Sequence, residues 1–402
     1  MKTLAPLLTL IFVLPVSAAD KPVEPLRIIA PELAKLDFKR TDGALAPASG
    51  LRTFVVFRAD KERPELSDWY GWTYHHHPDL ACWKGRLYVG WSSCERDEDT
   101  GVSHELFRTS TDGEDWSTVA ALFPPGVSTP LRMYFFRAPN GRMLAIAGLR
   151  TNREKTSERT KGPLVVREIR RDHTLGAVFT LRPPASAVEG QPPDFNTSVD
   201  EGFVEACRQL LANRLFLEQQ DYGNLLAPEE RMKWHDTAAW DGDDKLKKDA
   251  TGFGKAMCFF RRADGALVAV AKMGWVTLSR DDGRTWDQPV RPHSLVTGMG
   301  KVWGQHLRAD RYVLVYDPDK KLRYPLVLLT SDDGITFRNP CVIHGELPAL
   351  RYAGQAKDPG ASYVRGLSLW SNDGSRPDNA LWLVFSVNKE EIWVSRVPQL
   401  QR

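Results

Sequence analysis

The run Tyr74-His75-His76-His77-Pro78-Asp79 holds the densest set of chemically capable side chains in the 402-residue chain. Histidine titrates near pH ~6.5, so a pair of rings can supply one proton acceptor and one donor. If the run is a strand, side chains alternate and one or two of the three rings share a face. The pair could instead bind metal, but zinc would need a third ligand that no spacing identifies, so neither metal nor cofactor is expected. Trp91 precedes a charged stretch, Glu95-Arg96-Asp97-Glu98-Asp99, which places carboxylates beside an aromatic ring. Further polar groups sit singly along the chain: Arg132 with Tyr134, Glu201 with Glu205, Lys255, Trp303 with Gln305 and His306, Arg323 with Tyr324, and Tyr363 with Arg365.

These residues are far apart in sequence, so a fold must gather them. Phe135–Ala147 and Phe259–Ala271 carry one pattern at a constant offset, 259 − 135 = 124: an apolar strand, an Asn-Gly or Asp-Gly turn, and a second apolar strand. Such a turn between apolar runs is a strong hairpin signal. Four more hairpins are expected, turning near Lys84-Gly85, Asn213-Arg214, Asp310-Arg311 and the polar loop before Ala380. Six units of about fifty residues with several short strands each describe a propeller or an array of sheets. The expected architecture is all-β, six four-stranded antiparallel blades. In such a ring the first strand of each blade lines the centre, and the polar groups above lie where those strands begin.

A second repeat supports this reading. Ser279-Arg280-Asp281-Asp282-Gly283-Arg284-Thr285-Trp286 and Thr330-Ser331-Asp332-Asp333-Gly334-Ile335-Thr336-Phe337 share the pattern S/T-x-D-x-G-x-T-aromatic, and Thr109–Trp116 is a degenerate copy. Asp can cap a tight turn, Gly can take positive φ, and the aromatic can plug the gap to the next sheet. The pattern resembles the Asp-box (BNR) repeat of the sialidase superfamily of β-propellers, over about residues 51–398. That resemblance implies a carbohydrate substrate. A sialidase grips a carboxylate with three arginines and uses a Tyr nucleophile assisted by Glu, with an Asp acid/base. Arg132, Arg323 and Arg365 would form such a clamp, Tyr363 or Tyr316 the nucleophile, and Glu205 its partner. The family's aromatic-Arg-Ile-Pro motif is absent, Leu26-Arg27-Ile28-Ile29-Ala30-Pro31 being a faint echo, and no Asp stands at a matching place. The His-rich first unit is similar instead to propeller polysaccharide lyases and α-L-rhamnosidases.

The expected catalytic set is therefore His76, His77, Glu205 and Tyr363. Substrate binding is expected from His75, Trp91, Glu95, Arg132, Trp303, Gln305, Arg323 and Arg365. The expected function is a carbohydrate-active enzyme of sialidase-like type, a glycoside hydrolase. The alternatives are a polysaccharide lyase acting on a uronate and a non-catalytic glycan- or protein-binding propeller.

Composition bounds the rest. The chain is 42% hydrophobic and 26% charged, as globular proteins are. A net charge of +3 is too balanced for a general nucleic-acid binder. Met1–Ala19 reads as a signal peptide: Lys2, then an apolar Leu4–Val16 run too short to span a bilayer, then small residues. The mature protein is expected in the periplasm or secreted, as a monomer without membrane insertion. Residues 20–50 read as an extension, and 51–398 as the propeller, closed by pairing of Leu51–Arg58 with the last blade. The five cysteines have no C-x-x-C spacing, which argues against a cysteine zinc site and for mostly buried thiols.

Overall fold

The computed structural model describes residues 31–98, 103–123, 132–148, 164–182, 192–220, 226, 256–287, 289–292, 294–297, 300–308, 311–319, 321–368, 370–375 and 378–398. The leader expected over Met1–Ala19, the loop expected over Thr151–Gly162, Lys255, and nearly all of Leu225–Thr251 lie outside them.

Strand β1 (Arg52–Arg58) precedes four consecutive sheets. Blade one is β2 (Tyr74–Trp83), β3 (Arg86–Cys94), β4 (Ser103–Ser110) and β5 (Ala120–Phe123). Blade two is β6 (Met133–Arg137), β7 (Met143–Gly148), β8 (Leu164–Ile169) and β9 (Phe179–Arg182). Blade three is β10 (Cys258–Arg261), β11 (Leu267–Ala271) and β12 (Trp275–Ser279), with Val290 bridged to Val276 at its outer edge. Blade four is β13 (Trp303–Arg308), β14 (Arg311–Tyr316), β15 (Leu326–Ser331) and β16 (Arg338–His344). Blade five is β17 (Ala361–Gly366), β18 (Leu381–Val387) and β19 (Glu391–Val397), completed by β1, which pairs antiparallel with β19 from Arg52↔Arg396 to Arg58↔Glu391.

Among the described residues the ring has five blades, not six. The expected third unit, with its hairpin at Asn213-Arg214, is helical: α1 (Glu201–Leu211) and α2 (Arg214–Gln219). The side chain of Asp200 caps α1 through the Phe203 N–H, and that of Asn213 caps α2 through the Phe216 N–H. Phe203, Val204, Ala206, Cys207 and Leu210 are buried, which is the i, i+3, i+4, i+7 stripe of a helix, not the alternation of a strand. The stripe packs on Phe136, Leu144, Ile146 and Val166 of blade two. The Gln219 side chain accepts the Phe259 N–H of blade three at 2.9 Å, so the helical pair spans the gap between blades two and three.

The 124-residue repeat forms two equivalent hairpins. Arg137 pairs with Met143 and Arg261 with Leu267 around Gly141 (φ 83°) and Gly265 (φ 87°). The Ser–Asp–Gly segments form like turns in three blades. The Gly113, Gly283 and Gly334 N–H groups donate to Ser110, Ser279 and Ser331, and Asp112, Asp281 and Asp333 accept backbone N–H groups two to four residues on. In blade four the capping pair is Ser331 and Asp333, one residue later than the aligned Thr330 and Asp332. Phe337 is fully buried, whereas Trp286 is half-buried against Phe259. The expectation that both are buried holds for Phe337 only.

Candidate functional site

Two inner strands carry the same irregularity where they begin. The β2–β3 register shifts between His76 and Asp79, and the β17–β18 register shifts between Ser362 and Arg365. His77 (φ 52°) and Tyr363 (φ 59°) lie inside these bulges in the left-handed region, an unfavourable place for any residue with a side chain. Pro78 accommodates the first, because it needs no ladder N–H. A bulge re-aims side chains that alternation would send to opposite faces. Here both point inward, and the His77 and Tyr363 ring centroids are 4.7 Å apart, edge to face.

His76 completes the group, 4.2 Å from Tyr363 and 4.5 Å from His77. Its Nδ1 is 2.6 Å from the Ser386 hydroxyl, which is 3.2 Å from that of Ser362. The Nε2 of His77 is 3.4 Å from Glu98 Oε1, while its buried Nδ1 has no partner among the described residues. Burial pushes both imidazoles well below their usual range, and neighbouring charges push the same way: for His76 its neighbour His77 and then Lys389, for His77 first Lys301 and Arg132. Both rings are therefore neutral at pH 7.

Cations surround this group. Lys301 lies 4.8 Å from the Tyr363 ring centroid, and Lys272 and Arg323 each lie 5.9 Å from it. Burial, then Arg365 and Arg132, hold the Lys301 ammonium well below its ordinary value. Burial pushes the Tyr363 phenol up, and Arg132 and Arg323 oppose the rise by favouring phenolate. Arg365 stacks on Tyr134 at 4.8 Å and lies 3.7 Å from Asp79, whose other oxygen accepts the Phe135 N–H at 2.9 Å. Asp358 bridges Arg323 (3.1 Å) and Lys389 (2.8 Å). Six cationic side chains thus meet three carboxylates, Asp79, Glu98 and Asp358, and the excess charge attracts an anion.

The structure brings together His76, His77, Tyr363, Arg132, Arg323 and Arg365. It places Glu205 elsewhere, on the exposed face of α1, where it accepts a bond from Gln209 at 3.0 Å. His75 is buried behind the site, bonded to the Trp72 carbonyl and to the indole N–H of fully buried Trp91. Glu95 is exposed, and its carbonyl accepts the Thr73 N–H at 2.9 Å. Trp303 is buried and donates to Gln305 at 3.2 Å, in a pair that packs on Gly366 beside Arg365. Lys272 and Lys301 went unnoticed in the sequence, since single lysines in loops carry no local signal. Glu98 was visible only as one acid among several. Among the described residues, no group of three or more His, Cys, Asp or Glu could hold a metal ion.

A family model described as "Beta-prop_BT_1020:-like, N-terminal beta propeller" matches residues 25–224. A solved structure named "Sialidase" is 28% identical, with a TM-score of 0.78 over 94% of this chain. The chain is a β-propeller similar to those of the sialidase superfamily. It spans 35% of the length of that structure's chain. The propeller is also similar to a Trypanosoma rangeli sialidase solved in complex with sialic acid, at 12% identity and a TM-score of 0.47, covering 89% of this chain and 60% of that one. No curated protein matches the propeller's sequence. A clear match to the true sialidases is lacking, in keeping with the missing aromatic-Arg-Ile-Pro motif.

Proposed function

We propose that the propeller is an exported glycoside hydrolase that removes an acidic sugar from a glycan. The carrying observation is the pair of bulged inner strands that turn His77 and Tyr363 towards each other inside a ring of cations. The cations suit a sugar carboxylate, and Arg132 and Arg323 favour phenolate at Tyr363. With Nε2–H directed at Glu98, His77 keeps its lone pair on the unpartnered Nδ1, ready to take the phenolic proton. The Tyr363 oxygen then attacks the anomeric carbon, and Glu98 steadies the imidazolium that forms. Strain at both residues fits positions held for chemistry rather than packing.

The same histidine and cations would suit a lyase, in which a base removes a proton beside a uronate carboxylate. One experiment separates the readings. Purified protein is incubated with acidic polysaccharides and with aryl glycosides of acidic sugars, and both new reducing ends and unsaturated-uronate absorbance are followed. Reducing ends without absorbance support hydrolysis, and absorbance supports the lyase. Binding without either product leaves a glycan-binding propeller.

A further inference from the structure

The segment between β1 and β2 presents two large aromatic rings to solvent. Trp69 is 67% exposed and Tyr70 50%, and among the described residues no other Phe, Tyr or Trp side chain is exposed. The backbone is built to hold them there. Trp69 takes a φ of 69°, an outlier for so bulky a side chain. Buried Asp68 accepts the Tyr70 and Gly71 N–H groups at 3.0 and 2.8 Å, and the Trp69 N–H donates to the Pro64 carbonyl at 2.8 Å. The Tyr70 ring lies 4.1 Å from that of buried His104, which stacks on Trp72 at 4.0 Å, so it is set in place before any partner arrives. A turn that strains a tryptophan in order to expose it gains nothing in stability, which points to a use in binding.

The place of this turn in the fold says what it would bind. It leads directly into the strand that carries His76 and His77. The Trp72 carbonyl accepts a bond from His75 at 2.9 Å, and the Thr73 N–H donates to the Glu95 carbonyl, at the head of the stretch that reaches Glu98. On its other flank Tyr352, from the segment before β17, accepts the Lys61 N–H at 3.1 Å and donates to Glu62 at 2.9 Å. The exposed rings therefore lie at the junction of blades one and five, the two blades that supply His77 and Tyr363. Unlike the centre, this rim carries no excess of cations: Glu62 and Glu65 match Lys61 and Arg63, and Arg63 is already paired with Asp60 at 2.9 Å. Flat aromatic faces without surplus charge suit the apolar C–H face of a neutral pyranose, not an anion.

We propose that Trp69 and Tyr70 form a stacking subsite for neutral sugars, holding the glycan beyond the acidic residue taken by the centre. The proposal rests on the carbohydrate reading of the central site and adds a substrate class, a heteroglycan whose acidic sugar is borne on neutral ones. Affinity gel electrophoresis in galactan, xylan and mixed-linkage β-glucan tests it, with wild type, Trp69→Gly, Tyr70→Ala and the double variant compared. Retardation of the wild type by at least one polysaccharide is expected, with an affinity loss of about tenfold in each single variant and more in the double. Melting temperatures should stay near the wild-type value, because the rings removed are exposed and glycine accepts a φ of 69° without strain. Trp69→Ala takes the place of Trp69→Gly if the latter does not fold. Calorimetric binding of glucuronic, galacturonic and N-acetylneuraminic acids should be the same in every variant. Variants retarded like the wild type, or a wild type retarded by none of the three polysaccharides, would overturn the subsite and leave the acidic-sugar reading standing. Equal losses of polysaccharide and acidic-sugar binding would also overturn it, by showing that the turn acts through the centre. So would a wild-type dimer in sedimentation that becomes monomeric in Trp69→Gly, which would assign the rings to a contact between copies of the chain. Retardation that depends on Trp69, with no acidic sugar bound by any form, would support the subsite and overturn the acidic-sugar reading instead.

Discussion

His77 shows how a residue's surroundings reset its chemistry. An exposed histidine would lose its basic form below pH ~6.5, but burial and the nearby Lys301 and Arg132 keep this ring neutral to lower pH. A histidine-dependent acid limb should therefore fall well below that value, not between pH 5 and 8 as an unperturbed ring would predict. His77→Ala should lower kcat by about 10²–10⁴-fold, and Tyr363→Phe should abolish turnover while retaining acidic-sugar binding. Steady-state kinetics across pH, with calorimetric binding, would check both, and a wild-type rate in His77→Ala would remove it from the mechanism. A buried acid behaves differently. Glu105 is fully buried, accepts only the Ser92 hydroxyl among its described bonds, and is pushed up to about 8 by burial. The folded protein holds this proton while the unfolded chain releases it above pH ~4.3, so stability contributed by neutral Glu105 falls as pH rises from there to about 8. Glu105→Gln should flatten that decline, giving a higher melting temperature than wild type at pH 8 and little difference at pH 4. The triple histidine and Tyr363 were legible as residue types. Lys301 was not, because what makes it unusual is burial beside charges drawn from other blades.

At the scale of elements, turn chemistry read true and periodicity misled in one place. The Asn-Gly and Asp-Gly hairpins form where the sequence puts them, since positive φ at Gly141 and Gly265 is a local requirement. Short apolar runs flank Asn213-Arg214 and suggest a hairpin over Arg208–Glu218. Yet the turn has no glycine, and Asp200 with the spacing Phe203, Val204, Cys207, Leu210 describes a capped amphipathic helix. That one error supplied the sixth blade and drew Glu205 into the expected site. The bulges were invisible for another reason: a one-residue register slip is decided by the facing strand. The aromatic after each Asp turn gives an element-scale test. Phe337→Ala should cost about 3–5 kcal/mol, because its ring is wholly buried against Phe260 and its neighbours. Trp286→Ala should cost less, since the indole is half-buried. Denaturant melts would rank the two, and glycan affinity in the folded fractions should not change, both turns being on outer strands. Loss of affinity at unchanged stability would place these turns in the site.

For the whole molecule, closure is carried by one strand from the far end of the chain. β1 completes blade five through β19, and its buried Val56 and Phe57 join a cluster with Leu80, Val89 and Trp91 of blade one. The same contact brings β17 beside β2, and so sets Tyr363 against His77. Site and closure are therefore mechanically one feature. The preceding segment is not idle either. Pro47 bridges Val342, and the Val342 N–H donates to the Ala46 carbonyl at 2.9 Å, so residues 46–48 extend the outer edge of blade four. Truncation to residue 46 should leave a soluble, closed ring with a melting temperature near that of the full chain. Truncation to residue 51 should lower it by exposing the β16 edge, yet keep the site assembled. Removal through Arg58 should expose the edge of β19, loosen the His77–Tyr363 pair and drive aggregation, because a long unpaired edge recruits other strands. Light scattering, thermal melts and acidic-sugar binding across the three truncations would order these effects. If the last truncation stays monomeric and binds like the full chain, β1 does not close the ring that holds the site.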